Sequence, residues 1–198
     1  MFDRRALLAA APALLLPTVA RAAPLDWGEK LVAAARRQVG RTTLYDPAYV
    51  RLAYPGGDVP IERGVCSDVV IRAYRAAFGL DLQERVHRDM AGNFAAYPRT
   101  WGLRRPDSNI DHRRVPNLEV FLRRKGARAP QLAPWQAGDL ITQRLMPGNL
   151  PHIAIATGQR TAQGEEIIIE NIGGGAKVAT PHPSARLFGH YRLAPDAA

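Results

Sequence analysis

The chain is nearly without cysteine: one residue, Cys66, in 198. A lone thiol excludes both an internal disulfide and a thiolate metal cluster. Long hydrophobic runs are also lacking. The longest, Ala6 to Ala20, is shorter than the roughly 20 residues of a membrane span and carries Pro12 and Pro17. His-Glu-x-x-His does not occur, and His87, His112, His152, His182 and His190 are scattered, which argues against a resident metal. Gly-x-Ser-x-Gly, the turn of many serine hydrolases, is missing as well. Gly173-Gly174-Gly175 lacks the Lys-Ser/Thr of a phosphate loop and reads as a turn, so no motif calls for a cofactor. There is no internal repeat and no low-complexity tract. What is there is ordinary for a globular chain: 46% hydrophobic residues, with 16 prolines and 17 glycines spread through many loops.

The first 22 residues have the layout of an export signal. Arg4 and Arg5 precede an Ala/Leu-rich stretch, and Ala20-Arg21-Ala22 offers the small residues a signal peptidase needs. Arg4-Arg5 followed by Ala6-Leu7-Leu8 resembles a twin-arginine signal, although arginine pairs also occur in Sec signals. The expectation is a signal peptide over 1–22 and a single domain over 23–198, periplasmic or secreted. Removing 1–22 takes away three arginines and one aspartate, which lowers the net charge from +9 to +7. In that compartment a basic surface suits an anionic wall polymer or a membrane surface, or is simply solvated, because the charge is not striped. No nucleic-acid motif accompanies it, and no second apolar run predicts membrane insertion after processing.

Along the domain, apolar spacing predicts a helix over Leu25–Val39 closed by Gly40. A turn-rich stretch, Thr42–Gly64, follows, with Tyr45, Tyr49 and Tyr54 suggesting a loop packed on the domain. Helices are then predicted over Cys66–Phe78, about Leu82–Ala96, and Pro116–Lys125, with a polar loop over Pro98–Arg114 between the last two. Strand patterns begin at Gly138-Asp139-Leu140 and recur at His152–Thr157, Glu165–Ile172 and Phe188–Leu193, with a hairpin turn at Gly158–Gly164. Helices first and a small antiparallel sheet second describe an α+β domain.

Within that frame Cys66 opens a helix, and Ser67 and Asp68 fill the first turn. A thiol there meets unpaired backbone N–H groups and the positive end of the helix dipole, which favour the reactive thiolate over an inert core cysteine. His152 begins an apolar strand and is the candidate base, although a lone histidine at a core edge is more often structural. Glu170 and Asn171 end the next strand. Alternation lets only one of them face His152, and Asn171 is preferred, with Glu170 the close alternative.

Cys at a helix start, His on a strand and a polar residue on the next strand resemble the NlpC-type cell-wall cysteine peptidases, relatives of the papain fold. Gly138-Asp139-Leu140 is similar to the element opening the corresponding strand there. The resemblance implies that Tyr54, twelve positions before Cys66, helps to hold the oxyanion. The departure is at the nucleophile, where the usual Asp-Cys-Ser-Gly is replaced by Val65-Cys66-Ser67-Asp68. A longer resemblance, from about Leu31 to Leu193, is to domain-of-unknown-function family 1287. It rests on Gly64-Val65-Cys66-Ser67-Asp68-Val69-Val70-Ile71-Arg72-Ala73-Tyr74, on Asn109–Asn117, on Leu150-Pro151-His152-Ile153 and on Asn171-Ile172-Gly173.

These resemblances imply an exported papain-like hydrolase, an amidase or endopeptidase acting on amide bonds of peptidoglycan or another envelope peptide. Its catalytic residues would be Cys66, His152, Asn171 and Tyr54. Asp111, His112 and Arg113, in an unusually polar loop, read either as substrate-binding groups or as a surface loop held by its own salt bridges. Two other functions fit the same residues: a non-catalytic wall-binding module on the same scaffold, and an acyltransferase using the same three side chains.

Overall fold

A computed structural model describes residues 26–198; the expected signal segment, 1–22, lies outside the described residues. Among the described residues, four helices precede a five-stranded antiparallel sheet, an α+β arrangement in the order expected. Helix α1 spans Asp26–Arg36, α2 Cys66–Phe78, α3 Leu82–Asn93 and α4 Val115–Arg124. Between α1 and α2, the two-residue strands β1 (Leu44–Tyr45) and β2 (Arg63–Gly64) pair in parallel. The main sheet contains β3 (Leu140–Leu145), β4 (Leu150–Arg160), β5 (Glu166–Glu170), β6 (Lys177–Ala179) and β7 (Ala185–Tyr191), in the order β6-β5-β4-β3-β7. Among the described residues no helix is long and apolar enough to cross a membrane.

The differences from the sequence expectation have local causes. Helix α3 ends at Asn93 because the chain tightens into a 3-10 turn over Phe94–Ala96. Strand β6, a short edge strand after the glycine turn, has no alternating pattern to announce it. Strand β4 starts earlier and ends later than its apolar run, because the backbone ladder to β3 reaches Leu150 and that to β5 reaches Arg160.

The core lies where α1, α2 and α4 meet the sheet. Leu31, Val69, Val70, Tyr74, Leu118 and Phe121 meet Leu140, Ile153, Ile155 and Ile169 in one cluster. Each such side chain contributes about 1.5–3 kcal/mol by leaving water. Helix α1 docks through glycine: a Cβ on Gly28 would lie 2.0 Å from the Ala137 carbonyl oxygen, so only a bare Cα allows this approach. Gly138, at φ +86°, faces Gly28 from the other side.

The acid of Gly138-Asp139-Leu140 is structural. Asp139 is fully buried and accepts from His190 Nε2 at 2.7 Å, from Arg192 Nε and Nη2 at 2.7 and 2.8 Å, and from the Gln136 N–H. Those donors hold its carboxyl below the usual range against the opposing effect of burial. It pins the start of β3 to β7 and so fixes the sheet that carries His152.

Candidate active site

Helix α2 begins at Cys66 because of the residue at its third position. Asp68 folds back to accept the Val65 N–H at 2.7 Å, while its own N–H bonds the Val65 carbonyl at 3.1 Å. The thiol therefore sits on the first residue of the helix, 3% exposed, at the wall of a cavity of about 530 Å³. Tyr45, Tyr49, Trp101, Arg113, Leu150 and Pro151 are among the side chains around that cavity. Four exposed large hydrophobic residues, Tyr45, Tyr49, Trp101 and Leu150, thus gather at the one place where the chain holds a thiol.

His152 lies near the start of β4, almost fully buried, between Cys66 and Glu170. Its Nε2 donates to Glu170 Oε2 at 2.8 Å, and the Cys66 side chain acts on the same ring from the helix side. Burial of the ring disfavours its charged form. The hydrogen bonds and charges of Cys66 and Glu170 outweigh it, and the imidazole is pushed up to about 9. Lys177 Nζ stands 3.9 Å from the second Glu170 oxygen.

The residue against the imidazole is therefore Glu170, not the preferred Asn171. Strand alternation sends Asn171 the other way, where its Nδ2 donates to the Gly64 carbonyl at 3.0 Å and its Oδ1 accepts the Gly173 N–H. That carbonyl also accepts the Asp46 N–H, so one oxygen ties β5, β1 and the approach to Cys66 together.

Tyr54 is not at the thiol. It is 42% exposed, its ring meets His87 edge-on at 4.9 Å, and it does not line the Cys66 cavity. The tyrosine beside Cys66 is Tyr45, brought in by the β1–β2 pairing, which sets it opposite Gly64 while residues 46–62 loop outward. Burial first, and then the charges of Cys66 and Asp68, push the Tyr45 hydroxyl up to about 12, so it remains a proton donor. Sequence distance alone gave no sign of it; the signal was the cluster of three tyrosines in one loop.

Asp111, His112 and Arg113 form a buried 3-10 turn instead of an open substrate loop. Arg113 is paired with Asp68 at 2.9 Å, both side chains being 3% exposed or less. Its two Nη groups donate to the carbonyls of Ala48 and Asp46, and its own carbonyl accepts from Ser67 Oγ at 2.7 Å. Arg113 alone of the three lines the cavity. Asp111 accepts from Arg114 and from the Asp107 N–H. Burial, and then the Arg113 charge, hold His112 down at about 4, so it is neutral. A polar run reads as solvated from sequence, but these charges are satisfied internally and can be buried.

Among the described residues no group of three or more His, Cys, Asp or Glu side chains is arranged to hold a metal ion. The thiol, the imidazolium, the carboxylate behind it and the tyrosine hydroxyl together suit attack on a carbonyl carbon.

Comparison with known proteins places this site inside a family match. The family described as Domain of unknown function (DUF1287) matches residues 32–193. The chain is also 53% identical over 161 residues to the "Uncharacterized protein YijF" of Escherichia coli (strain K12), an alignment covering 80% of this chain and 78% of that protein.

Proposed function

The chain belongs to the DUF1287 family, and we propose that it is an exported cysteine hydrolase of papain-like architecture that cleaves amide bonds in peptidoglycan peptides. The observation that carries this reading is the line Cys66–His152–Glu170 at the wall of an aromatic-rimmed cavity. The NlpC-type resemblance and the expected signal segment supply the compartment and the substrate class.

In this reading the Cys66 thiolate attacks the amide carbonyl, and negative charge develops on the carbonyl oxygen. The Tyr45 hydroxyl and the free N–H groups at the start of α2 donate to it. His152, held as imidazolium, gives its proton to the leaving amine, and the C–N bond breaks to leave an acyl-thioester on Cys66. Neutral His152 then takes a proton from water, whose oxygen attacks the thioester and releases the acid and the thiol. Glu170 fixes the ring orientation and favours the charged imidazole.

The test is digestion of purified sacculi followed by mass spectrometry of the released muropeptides. Wild-type protein should release new amine and carboxyl ends at one bond type, and Cys66→Ala should release none while unfolding at the wild-type temperature. Undiminished digestion by Cys66→Ala would sink the mechanism. Binding to sacculi without soluble products would make the protein a wall-binding module instead.

A further inference from the structure

A larger cavity, about 830 Å³, adjoins the Cys66 cleft and shares Tyr49 with it. The loop around residue 101 divides the two. Trp101 lines the Cys66 side, with the Arg114 guanidinium stacked on its ring at 4.2 Å, whereas Gly102 to Asn109 line the other. The volume lies within the range of small-molecule sites, about 300–1,000 Å³.

Its walls are fixed before any ligand arrives. Gln83, fully buried, donates to the carbonyls of Ala53 and Ser108, and Asn109 Oδ1 accepts the Leu52 N–H at 2.8 Å. Asp107, an acid in the wall, is already engaged: it accepts from the Asn109 N–H and Nδ2 on one oxygen and from the Tyr49 hydroxyl on the other.

The cations in the wall are not engaged. Around the Cys66 cleft, Arg113 and Arg114 each have a carboxylate, Asp68 and Asp111. Arg104 and Arg105 are exposed, line the second cavity, and have no ion-pair partner among the described residues. Two planar guanidiniums over a preformed pocket whose acid is occupied favour an anion, and their forked N–H groups fit a carboxylate.

We infer that this cavity is a second subsite of the Cys66 cleft, which takes a carboxylate of the substrate on Arg104 and Arg105 while the scissile amide lies beyond Tyr49. The inference rests on the amide-hydrolase reading and narrows its substrate class to acidic peptides.

Calorimetric titration separates the two. In Cys66→Ala protein, which holds substrate uncut, the probe is a stem tetrapeptide released from sacculi, compared with the same peptide carboxyl-amidated. The acid form should bind roughly tenfold or more tightly than the amide, with a preference that fades as salt is raised. Adding Arg104→Gln and Arg105→Gln, both at exposed positions, should abolish that preference and leave binding of the amidated peptide unchanged. A preference that survives the double substitution overturns the subsite while the hydrolase reading stands. Failure of both peptides to bind Cys66→Ala protein overturns the wall-peptide reading, and the subsite with it.

Discussion

Glu170 and Asn171 are neighbours on one strand end, and their side chains do separate things. Glu170 holds the imidazole, and Asn171 holds the backbone just before the thiol. Their substitutions should therefore part company. Glu170→Gln removes the charge behind His152, so the ring's midpoint should fall from about 9 toward 6.5, read by NMR titration of the imidazole C–H. The sign of the linked stability follows. A histidine raised above its unfolded value stabilises fully below about pH 6.5 and loses that contribution as pH rises through about 9. The stability gap between wild type and Glu170→Gln should thus close on going from pH 6 to pH 9.5, and alkylation of Cys66 by iodoacetamide should slow by tenfold or more. Asn171→Ala should leave the midpoint alone and cost about 1 kcal/mol, since the Gly64 carbonyl keeps its bond from Asp46. If Asn171→Ala shifts the midpoint as far as Glu170→Gln does, the assignment of Glu170 is wrong. At Tyr45, removing only the hydroxyl tests the oxyanion role. Tyr45→Phe should lower kcat on wall peptide about 10–100-fold with little change in KM. An unchanged kcat would leave Tyr45 as no more than a wall of the cleft.

At the scale of elements, the site depends on how the 43–50 segment is fastened to helix α2. The Thr43 and Leu44 N–H groups both donate to the Glu62 carbonyl, and Arg113 reaches from a separate turn to the carbonyls of Asp46 and Ala48 while paired with Asp68. Arg113→Ala leaves a buried carboxylate unpaired at the first turn of α2, and should cost about 3–5 kcal/mol in urea unfolding. A loss under about 1 kcal/mol would mean that the pair does not clamp the segment. Much of this level was legible in the sequence. Helix α2 runs from Cys66 to Phe78 as its apolar spacing and Gly79 indicate, and β3, β4 and β5 each contain the apolar run that announced them, though β4 extends past its run at both ends. What was not legible is whatever depends on pairing between distant residues. A two-residue parallel bridge has no periodicity, so nothing in the order Tyr45, Tyr49, Tyr54 tells which tyrosine it carries to Cys66. The parity that sends Glu170 and not Asn171 toward His152 is set by the β4–β5 ladder, and a shift of one residue reverses it. Arg113 looked solvated because the acid and carbonyls that satisfy it, on Asp68, Ala48 and Asp46, lie elsewhere in the chain, whereas Asp111 is met locally by Arg114.

Across the whole molecule, two of the buried histidines, His152 and His112, have opposite settings. His152 is raised and charged by Cys66 and Glu170, whereas His112 is held down at about 4 by burial and by Arg113. Acid therefore affects them differently. His152 is already protonated in the fold at neutral pH, so lowering the pH adds nothing at that ring. His112 must stay neutral inside while its unfolded counterpart takes a proton below about pH 6.5, so the unfolded state binds more protons and stability falls as pH falls. The loss grows from about pH 6.5 and levels off below about pH 4, and amounts to on the order of 3 kcal/mol. Carboxylates in ion pairs, such as Asp89 with Arg124 and Asp139 with Arg192, lose their contributions at lower pH still. The His112 step is separable by difference. His112→Gln removes the titration and keeps a polar side chain, so its urea stability between pH 7 and pH 4.5 should fall by about 2–3 kcal/mol less than that of wild type. Parallel pH profiles for the two proteins would show that His112 is protonated in the fold, and that Asp81 and Asp58, the acids nearest it in charge, offset Arg113 and Arg75 far more than its burial implies.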